Sequence, residues 1–310
     1  MRARLAAVTV AAAYCAALTA TVTGCAGTAP APGTGEGGGP ASPAPPPAPT
    51  QEVKELTLPL DAYTLGAPEM ARITVAQDRL IGACMARAGL DWPRLPAREE
   101  RVWPHRGRYG LIEPEPAARY GYHPLPDPHS EATEAWLARR EAKLSPEQRT
   151  AAYGAAAEKD KAGNDGEGSS AGCEREAERA LLRGVPKADF ELVDEISADT
   201  YDRSRRAPAV TKAFARWSAC MRDRGFDYAD PTAANDDARW RRTAKKPSRA
   251  EIATARADVA CKRATSLVGV WWRTEAAYQK RQLRAHADDL ADVREARDRY
   301  LANVARHENT

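Results

Sequence analysis

The chain has 310 residues, and its 46 lysines and arginines against 43 aspartates and glutamates leave a formal net charge of only +3. So small an imbalance sets up no overall field that calls for nucleic acid as a partner. Leucine, isoleucine, valine and phenylalanine number 42 of the 310 residues, below the share that fills a core generously. Alanine supplies much of the remaining apolar content, and with arginine and glutamate it favours helices that approach closely through small side chains.

The first element in chain order is an export signal. Arg2 and Arg4 precede a short Ala/Leu/Val/Thr stretch from Leu5 to about Val22, and Thr23-Gly24 lead into Cys25. These are the parts of a secretory signal. The stretch is too rich in alanine and threonine for the roughly 20 strongly apolar residues of a spanning helix. A cysteine directly after a small-residue cleavage site resembles the bacterial lipobox, which implies removal of residues 1–24 and lipidation of Cys25. Residues 25–50 then read as a disordered tether, because Pro, Gly, Ala, Thr and Ser around Pro45-Pro46-Pro47 cannot bury apolar surface. It spans roughly 28 Å as a flexible coil and about 78 Å in polyproline form.

Folded structure is expected from near Val53, where Leu56, Leu58 and Leu60 alternate as a short strand or extended arm. Pro68 suits the first turn of a helix. Ile73, Gln77, Leu80, Ile81, Cys84 and Met85 follow at spacings of three and four, an amphipathic helix ending at Gly89. Residues 91–129, dense in proline and aromatics, read as an ordered loop with little regular structure. Helices return at about 131–144 and 146–160, the second opened by the capping box Ser145-Pro146-Glu147-Gln148. A Gly/Ser/Asn loop over 163–172 leads into Cys173 and a helix to Leu182.

In the second half, Phe190, Val193, Ile196 and Tyr201 mark one helix. Val210, Phe214, Trp217, Cys220 and Met221 mark another, ending at Gly225. Ser248 and Glu251 form a second capping box. From there to His307 no proline occurs and Gly269 is the only glycine, so one helix of up to about 55–60 residues, near 85 Å long, is expected. Its seam of Trp272, Ala276, Leu283, Leu290, Val293, Tyr300 and Val304 is interrupted by Gln279, His286 and Arg297. So sparse a stripe must pack against something, and folding back on the first half of the chain is favoured over docking a partner.

Cys15 leaves with the signal, and beside Cys25 four cysteines remain: Cys84, Cys173, Cys220 and Cys261. An even number in an exported chain implies two disulfides, with three possible connectivities. An internal repeat narrows them. Residues 84–92 read Cys-Met-Ala-Arg-Ala-Gly-Leu-Asp-Trp and residues 220–228 read Cys-Met-Arg-Asp-Arg-Gly-Phe-Asp-Tyr. Each closes an amphipathic helix and each is followed by one downstream cysteine, which predicts Cys84–Cys173 and Cys220–Cys261. The folded region accordingly divides into units 51–184 and 185–310. Gly89 and Gly225 suit the left-handed position past a helix end, with Met85 and Met221 touching Leu90 and Phe226 across a Schellman cap. No C-x-x-C is present to support a thiol redox role.

The signal and lipobox, the proline-rich tether, the twice-used Cys-Met unit and the run from Tyr109-Gly110-Leu111 to Tyr120-Gly121-Tyr122-His123 resemble secreted lipoproteins of Streptomyces and related actinomycetes. The resemblance implies an extracytoplasmic, helical, cysteine-bridged protein and brings no activity with it.

Motifs that carry chemistry are few. His123, Asp127 and His129, with Glu131 nearby, have metal-ligand side chains, but Pro124, Pro126 and Pro128 hold their backbone extended and no H-E-x-x-H occurs. A calcium loop around Gly166 fails because Lys161 stands where the first carboxylate belongs. No G-x-S-x-G and no phosphate-cradling glycine loop is present, and no cofactor is expected. Six basic residues between Arg239 and Arg249 follow Asp227, Asp230, Asp236 and Asp237 and read as a solvated loop, or as a contact for anionic headgroups or wall polymers. Trp271 and Trp272 read as core, with a partner contact as the sharper alternative.

The expectation is a mainly α, disulfide-stapled helical domain with a long C-terminal helix. It is lipid-anchored at the outer face of the cell membrane and non-enzymatic, with an envelope protein or wall polymer as partner. An envelope hydrolase or metal-binding protein using residues 103–129 is the alternative. A solute-binding lipoprotein lacks support, because runs of buried valine and isoleucine strands are missing.

Overall fold

The computed structural model describes residues 47–96, 103–154, 172–240, 243, 244 and 246–308, the side chains of Pro128 and His129 excepted. The export signal, Cys25, most of the tether and the 163–171 part of the Gly/Ser/Asn loop lie outside the described residues. Among those described, the elements are helical throughout, with no strand.

The chain is already fastened at Pro47, before the expected tether boundary at residue 50. Arg106 Nη2 donates to Pro47 O and Thr50 N donates to Glu113 Oε1, each at 2.9 Å. After α1 (Gln51–Glu55), Leu56, Leu58 and Leu60 are all buried, as their alternation predicts. Leu56 and Leu58 lie in an extended arm rather than a strand, and Leu60 in the turn that follows. Asp61 Oδ2 accepts from Leu58 N at 2.8 Å and turns the arm into a 3-10 turn, Pro59–Ala62. The arm is tied to a later helix by Leu60 N on Gln279 Oε1 (3.1 Å) and Trp272 Nε1 on Thr57 O (2.7 Å).

Helix α2 (Ala67–Arg87) ends as expected. Gly89 takes φ +73°, Gly89 N donates to Ala86 O, and Leu90 N donates to Met85 O, both at 3.0 Å. That is the Schellman pair of bonds, with Met85 three residues from the end. The later loop contains α3 (Pro114–Tyr120), then come α4 (Pro128–Lys143), α5 (Pro146–Tyr153) and α6 (Cys173–Leu181). Both bonds of the Ser145/Gln148 capping box are present, at 2.8 and 3.1 Å. Cys84 is bonded to Cys173, joining α2 to the start of α6.

Further along the chain come α7 (Glu191–Arg206), α8 (Pro208–Arg222), the short α9 (Pro231–Asn235) and α10 (Arg249–Ala264). Gly225 has φ +84° and Phe226 N donates to Met221 O at 2.9 Å, the same cap. Cys220 is bonded to Cys261. The two downstream cysteines occupy different places: Cys173 opens α6, whereas Cys261 lies in the last turn of α10.

The expected continuous C-terminal helix is three helices: α10, α11 (Leu267–Ala285) and α12 (Ala287–His307). Thr265 Oγ1 bonds back to Cys261 O at 2.7 Å and Ser266 adopts the left-handed φ of +52°. Short polar side chains offer the backbone an alternative to the next helical turn. The second break falls at His286, with φ −117° and ψ 35°. What the breaks achieve is packing. Helix α12 lies on α2 and α6, where Val304 packs with Ile73, Ala76 and Leu181, while Leu290 and Val293 pack with Leu60 of the arm and with Val193 and Ile196 of α7; Leu290, Val293, Ala296 and Val304 are all fully buried. The C-terminal helix therefore folds back on the first half of the chain.

The largest core cluster gathers Trp217, Trp271, Tyr109, Phe214, Met221 and Leu267 between the loop and α8, α10 and α11. Alanines 76, 117, 152, 213, 234, 255 and 296 have no exposed surface, which is how a chain poor in large aliphatics reaches interior density.

Candidate functional site

The loop nominated by the sequence is fastened from beneath by carboxylates on α10 and α11. Glu275 is fully buried and takes the Arg108 guanidinium, the Tyr109 hydroxyl (2.9 Å) and Gln279 Nε2 (3.2 Å). Asp258 is fully buried too. It accepts Lys262 Nζ at 2.9 Å, Trp217 Nε1 at 3.0 Å and the Tyr122 hydroxyl at 3.2 Å, while Lys262 also donates to Leu111 O at 2.8 Å. Burial pushes the Asp258 carboxyl up from its ordinary range, against the opposing charge of Lys262. The Tyr122 and Tyr109 hydroxyls are pushed up as well, first by burial and then by Asp258 and Glu275 respectively.

Glu251 completes this row. Its backbone N donates to Ser248 Oγ at 3.1 Å, but its carboxylate does not close the expected capping box. It turns inward to accept Tyr122 N at 2.9 Å and to meet His123 Nδ1 at 2.8 Å. Gly121, with φ +55°, lets the loop pass there, since a Cβ would sit 2.8 Å from Glu251 Oε1. His123 Nε2 is buried and has no hydrogen-bond partner among the described residues.

The other residues singled out by the sequence are dispersed. Asp127 caps α4, accepting Ser130 N at 3.0 Å and Ser130 Oγ at 2.8 Å, and the His129 side chain lies outside those described. No three His, Cys, Asp or Glu side chains come together as a metal cage among the described residues. Trp271 is core: it packs against Tyr109, Tyr201 and Phe214 at 5.2–5.3 Å and donates to Ser204 Oγ at 2.9 Å. Only 2% of it is exposed, so it has no face left for a partner. Trp272 is half-buried and holds the arm at Thr57. Of the basic run, Arg239 is bound to Asp237 at 2.6 Å, and its guanidinium holds that carboxyl well below the usual range. Arg241, Arg242 and Lys245 lie outside the described residues.

The loops after the two Cys-Met segments differ in what covers them, and the difference opens a cleft. Two residues before each cysteine, the loop returns onto its helix: a Cβ at Gly82 would lie 3.3 Å from Trp92 Cδ1, and Ser218 Oγ donates to Tyr228 O at 2.7 Å. The first loop is roofed. Arg140 stacks on Trp92 at 4.2 Å, Tyr153 meets it edge-on at 6.3 Å, and Gln148 Nε2 donates to Asp91 O at 2.8 Å. The second loop instead borders a cleft of about 360 Å3 lined by Phe226, Asp227, Tyr228, Arg239, Trp240 and the Ala250–Thr254 face of α10. Trp240 stacks on Tyr122 at 6.0 Å, joining the cleft wall to the buried loop.

Sequence reasoning missed the carboxylate row. The available signal was its spacing, with Glu251 and Asp258 two turns apart among alanines and Lys262 one turn further on. No family model, curated protein or solved structure matches the chain.

Proposed function

We propose that the chain is a lipid-anchored extracytoplasmic protein that presents a disulfide-stapled helical unit to a partner at the outer face of the cell membrane, without turning over a substrate. The observation that carries this reading is the pair of disulfides, Cys84–Cys173 and Cys220–Cys261, one in each half. Such bonds persist in oxidising compartments outside the cytoplasm. They agree with the export signal, with the lipobox before Cys25 and with the likeness to actinomycete secreted lipoproteins. Among the described residues no helix is long and apolar enough to cross a membrane, and the reading assigns the anchor to an acyl group on Cys25. The titratable groups of the 103–123 loop support the non-enzymatic half of the reading, since Arg106, Arg108, Tyr109 and Tyr122 are occupied in holding the loop to its carboxylates.

Cell fractionation of Cys25→Ser tests the reading. The variant is expected in the medium, or retained with its signal uncut. A variant that stays on the membrane at the wild-type level, still trimmed after residue 24, contradicts it.

A second reading, an envelope hydrolase or metal-binding protein, has one observation behind it. His123 is held by Glu251 through Nδ1 while its Nε2 has no partner among the described residues, the arrangement of a general base or a metal ligand. Stoichiometric metal by elemental analysis of the purified protein, lost in His123→Gln, would establish it.

A further inference from the structure

Two opposite charges are buried together one turn apart on α10. The side chains of Asp258 and Lys262 are 0% and 1% exposed, and Lys262 Nζ lies 2.9 Å from Asp258 Oδ2. Helices α3, α8 and α11 pack on α10 and shut this turn off from solvent. An ion pair in such a place repays its lost hydration poorly. The ammonium is also short of partners. Among the described residues Nζ has two acceptors, Asp258 Oδ2 and Leu111 O at 2.8 Å, for the three N–H groups an ammonium carries. The loop presses on the same nitrogen, since a Cβ at Gly110, with φ +74°, would stand 3.0 Å from it.

The two carboxylate oxygens have different partners. Oδ1 accepts Trp217 Nε1 at 3.0 Å, whereas Oδ2 meets Lys262 Nζ and accepts the Tyr122 hydroxyl at 3.2 Å. Donors on both oxygens draw electron density from Cγ. Burial pushes the carboxyl up from its ordinary range, which favours its protonated form.

We infer that Asp258 and Lys262 condense into an intrahelical isopeptide bond, an amide between Cγ and Nζ. A proton first passes from Nζ to Oδ2 along their hydrogen bond, leaving an amine and a carboxylic acid. A desolvated lysine amine is a nucleophile, and a small rotation brings this one to attack distance, about 3–3.5 Å. Nζ adds to Cγ, and Trp217 Nε1 stabilises the negative charge that forms on Oδ1. Nζ then releases a second proton, which the Tyr122 hydroxyl relays to Oδ2. The Cγ–Oδ2 bond breaks and Oδ2 leaves as water. One carboxylate and one ammonium give one amide and one water, with no oxidant or cofactor needed. The product suits the site better than the ion pair does. Oδ1 keeps Trp217, the remaining N–H keeps Leu111 O, and two buried charges are gone. The new bond also braces the turn that carries Cys261, the residue bonded to Cys220.

The test is mass spectrometry of peptides from the full chain, reduced, alkylated and digested with trypsin in denaturant. The peptide holding Asp258 and Lys262 is expected to be lighter by one water, uncut at Lys262, and unmodified there by reductive methylation. A peptide of full mass overturns the inference. A succinimide at Asp258 also loses one water but leaves Lys262 open to trypsin and to methylation, and that result overturns it too. Lys262→Arg keeps the charge and lacks the amine, so its peptide is expected at full mass. A water lost from that variant's peptide contradicts the bond. Condensation follows from burial and not from the compartment, so its failure leaves the anchoring reading of Cys25 standing.

Discussion

Asn303 on α12 donates through Nδ2 to Leu181 O at 2.7 Å, and again to Arg183 O at 2.9 Å, capping the end of α6 from the far end of the chain. One of the carbonyls that the helix leaves without a partner at its C-terminus, that of Leu181, and the Arg183 carbonyl of the turn beyond it are met by one buried amide. The last helix is thus tied to the end of α6. Truncation after Ala285 is expected to lower the melting temperature, since Leu290, Val293 and Val304 are fully buried and each such side chain contributes about 1.5–3 kcal/mol. Asn303→Ala alone should cost about 1–3 kcal/mol in urea unfolding. A truncated chain that melts with the full one would contradict the packing described.

The disulfides give a covalent prediction. A non-reducing peptide map should join the Cys84 peptide to that of Cys173 and the Cys220 peptide to that of Cys261. The sequence separations are 89 and 41, so removing either bond should destabilise by roughly 4–5 kcal/mol on chain entropy alone. A peptide joining Cys84 to Cys220 counts against the two-unit organisation.

Three glycines separate backbone strain from crowding. At Gly89 and Gly225 a Cβ meets nothing within 4 Å, and only the positive φ is at issue. Alanine at either position should cost about 1–2 kcal/mol and asparagine less, because asparagine tolerates the left-handed region. Gly121→Ala adds a steric conflict with Glu251 and should cost clearly more in the same denaturation series. Equal costs at all three positions would remove the role assigned to Glu251.

Alkaline pH should unfold the protein. Tyr109, Tyr122 and Tyr153 are each pushed above the ordinary tyrosine range, first by burial and then by a neighbouring carboxylate. The folded chain keeps these protons when the unfolded chain, titrating near pH 10, has lost them. Stability therefore falls as pH rises past about 10, by up to about 1.4 kcal/mol per pH unit for each tyrosine. Tyrosinate absorbance should rise for these groups together with the loss of helical ellipticity. Ionisation of Tyr109, Tyr122 and Tyr153 in the folded state near pH 10 would contradict their burial.

Much of this fold was legible from local signals. The Schellman glycines, the Ser145 capping box and the cysteine pairing each depend on residues a few positions apart or on a repeated pattern. The breaks at Ser266 and His286 were not legible, because neither residue is a helix breaker in isolation and what favours the bend is burial of Leu290 against Leu60 and α7 and of Val304 against α2 and α6. The inward turn of Glu251 was missed for a related reason: its cap partner Ser248 is local, but Tyr122 and His123, which take its carboxylate, come from far up the chain. Alternation at Leu56, Leu58 and Leu60 gave the correct buried residues and an undecided backbone, since a strand requires a partner that periodicity does not reveal.

Whether the protein is extracytoplasmic and held by the first residue of its mature chain is decided by mass spectrometry of the N-terminal peptide from membranes of producing cells. The expected peptide begins at Cys25 and carries a diacylglyceryl thioether. A membrane-associated chain that begins at Met1, or at Cys25 with an unmodified thiol, would contradict the proposed anchoring.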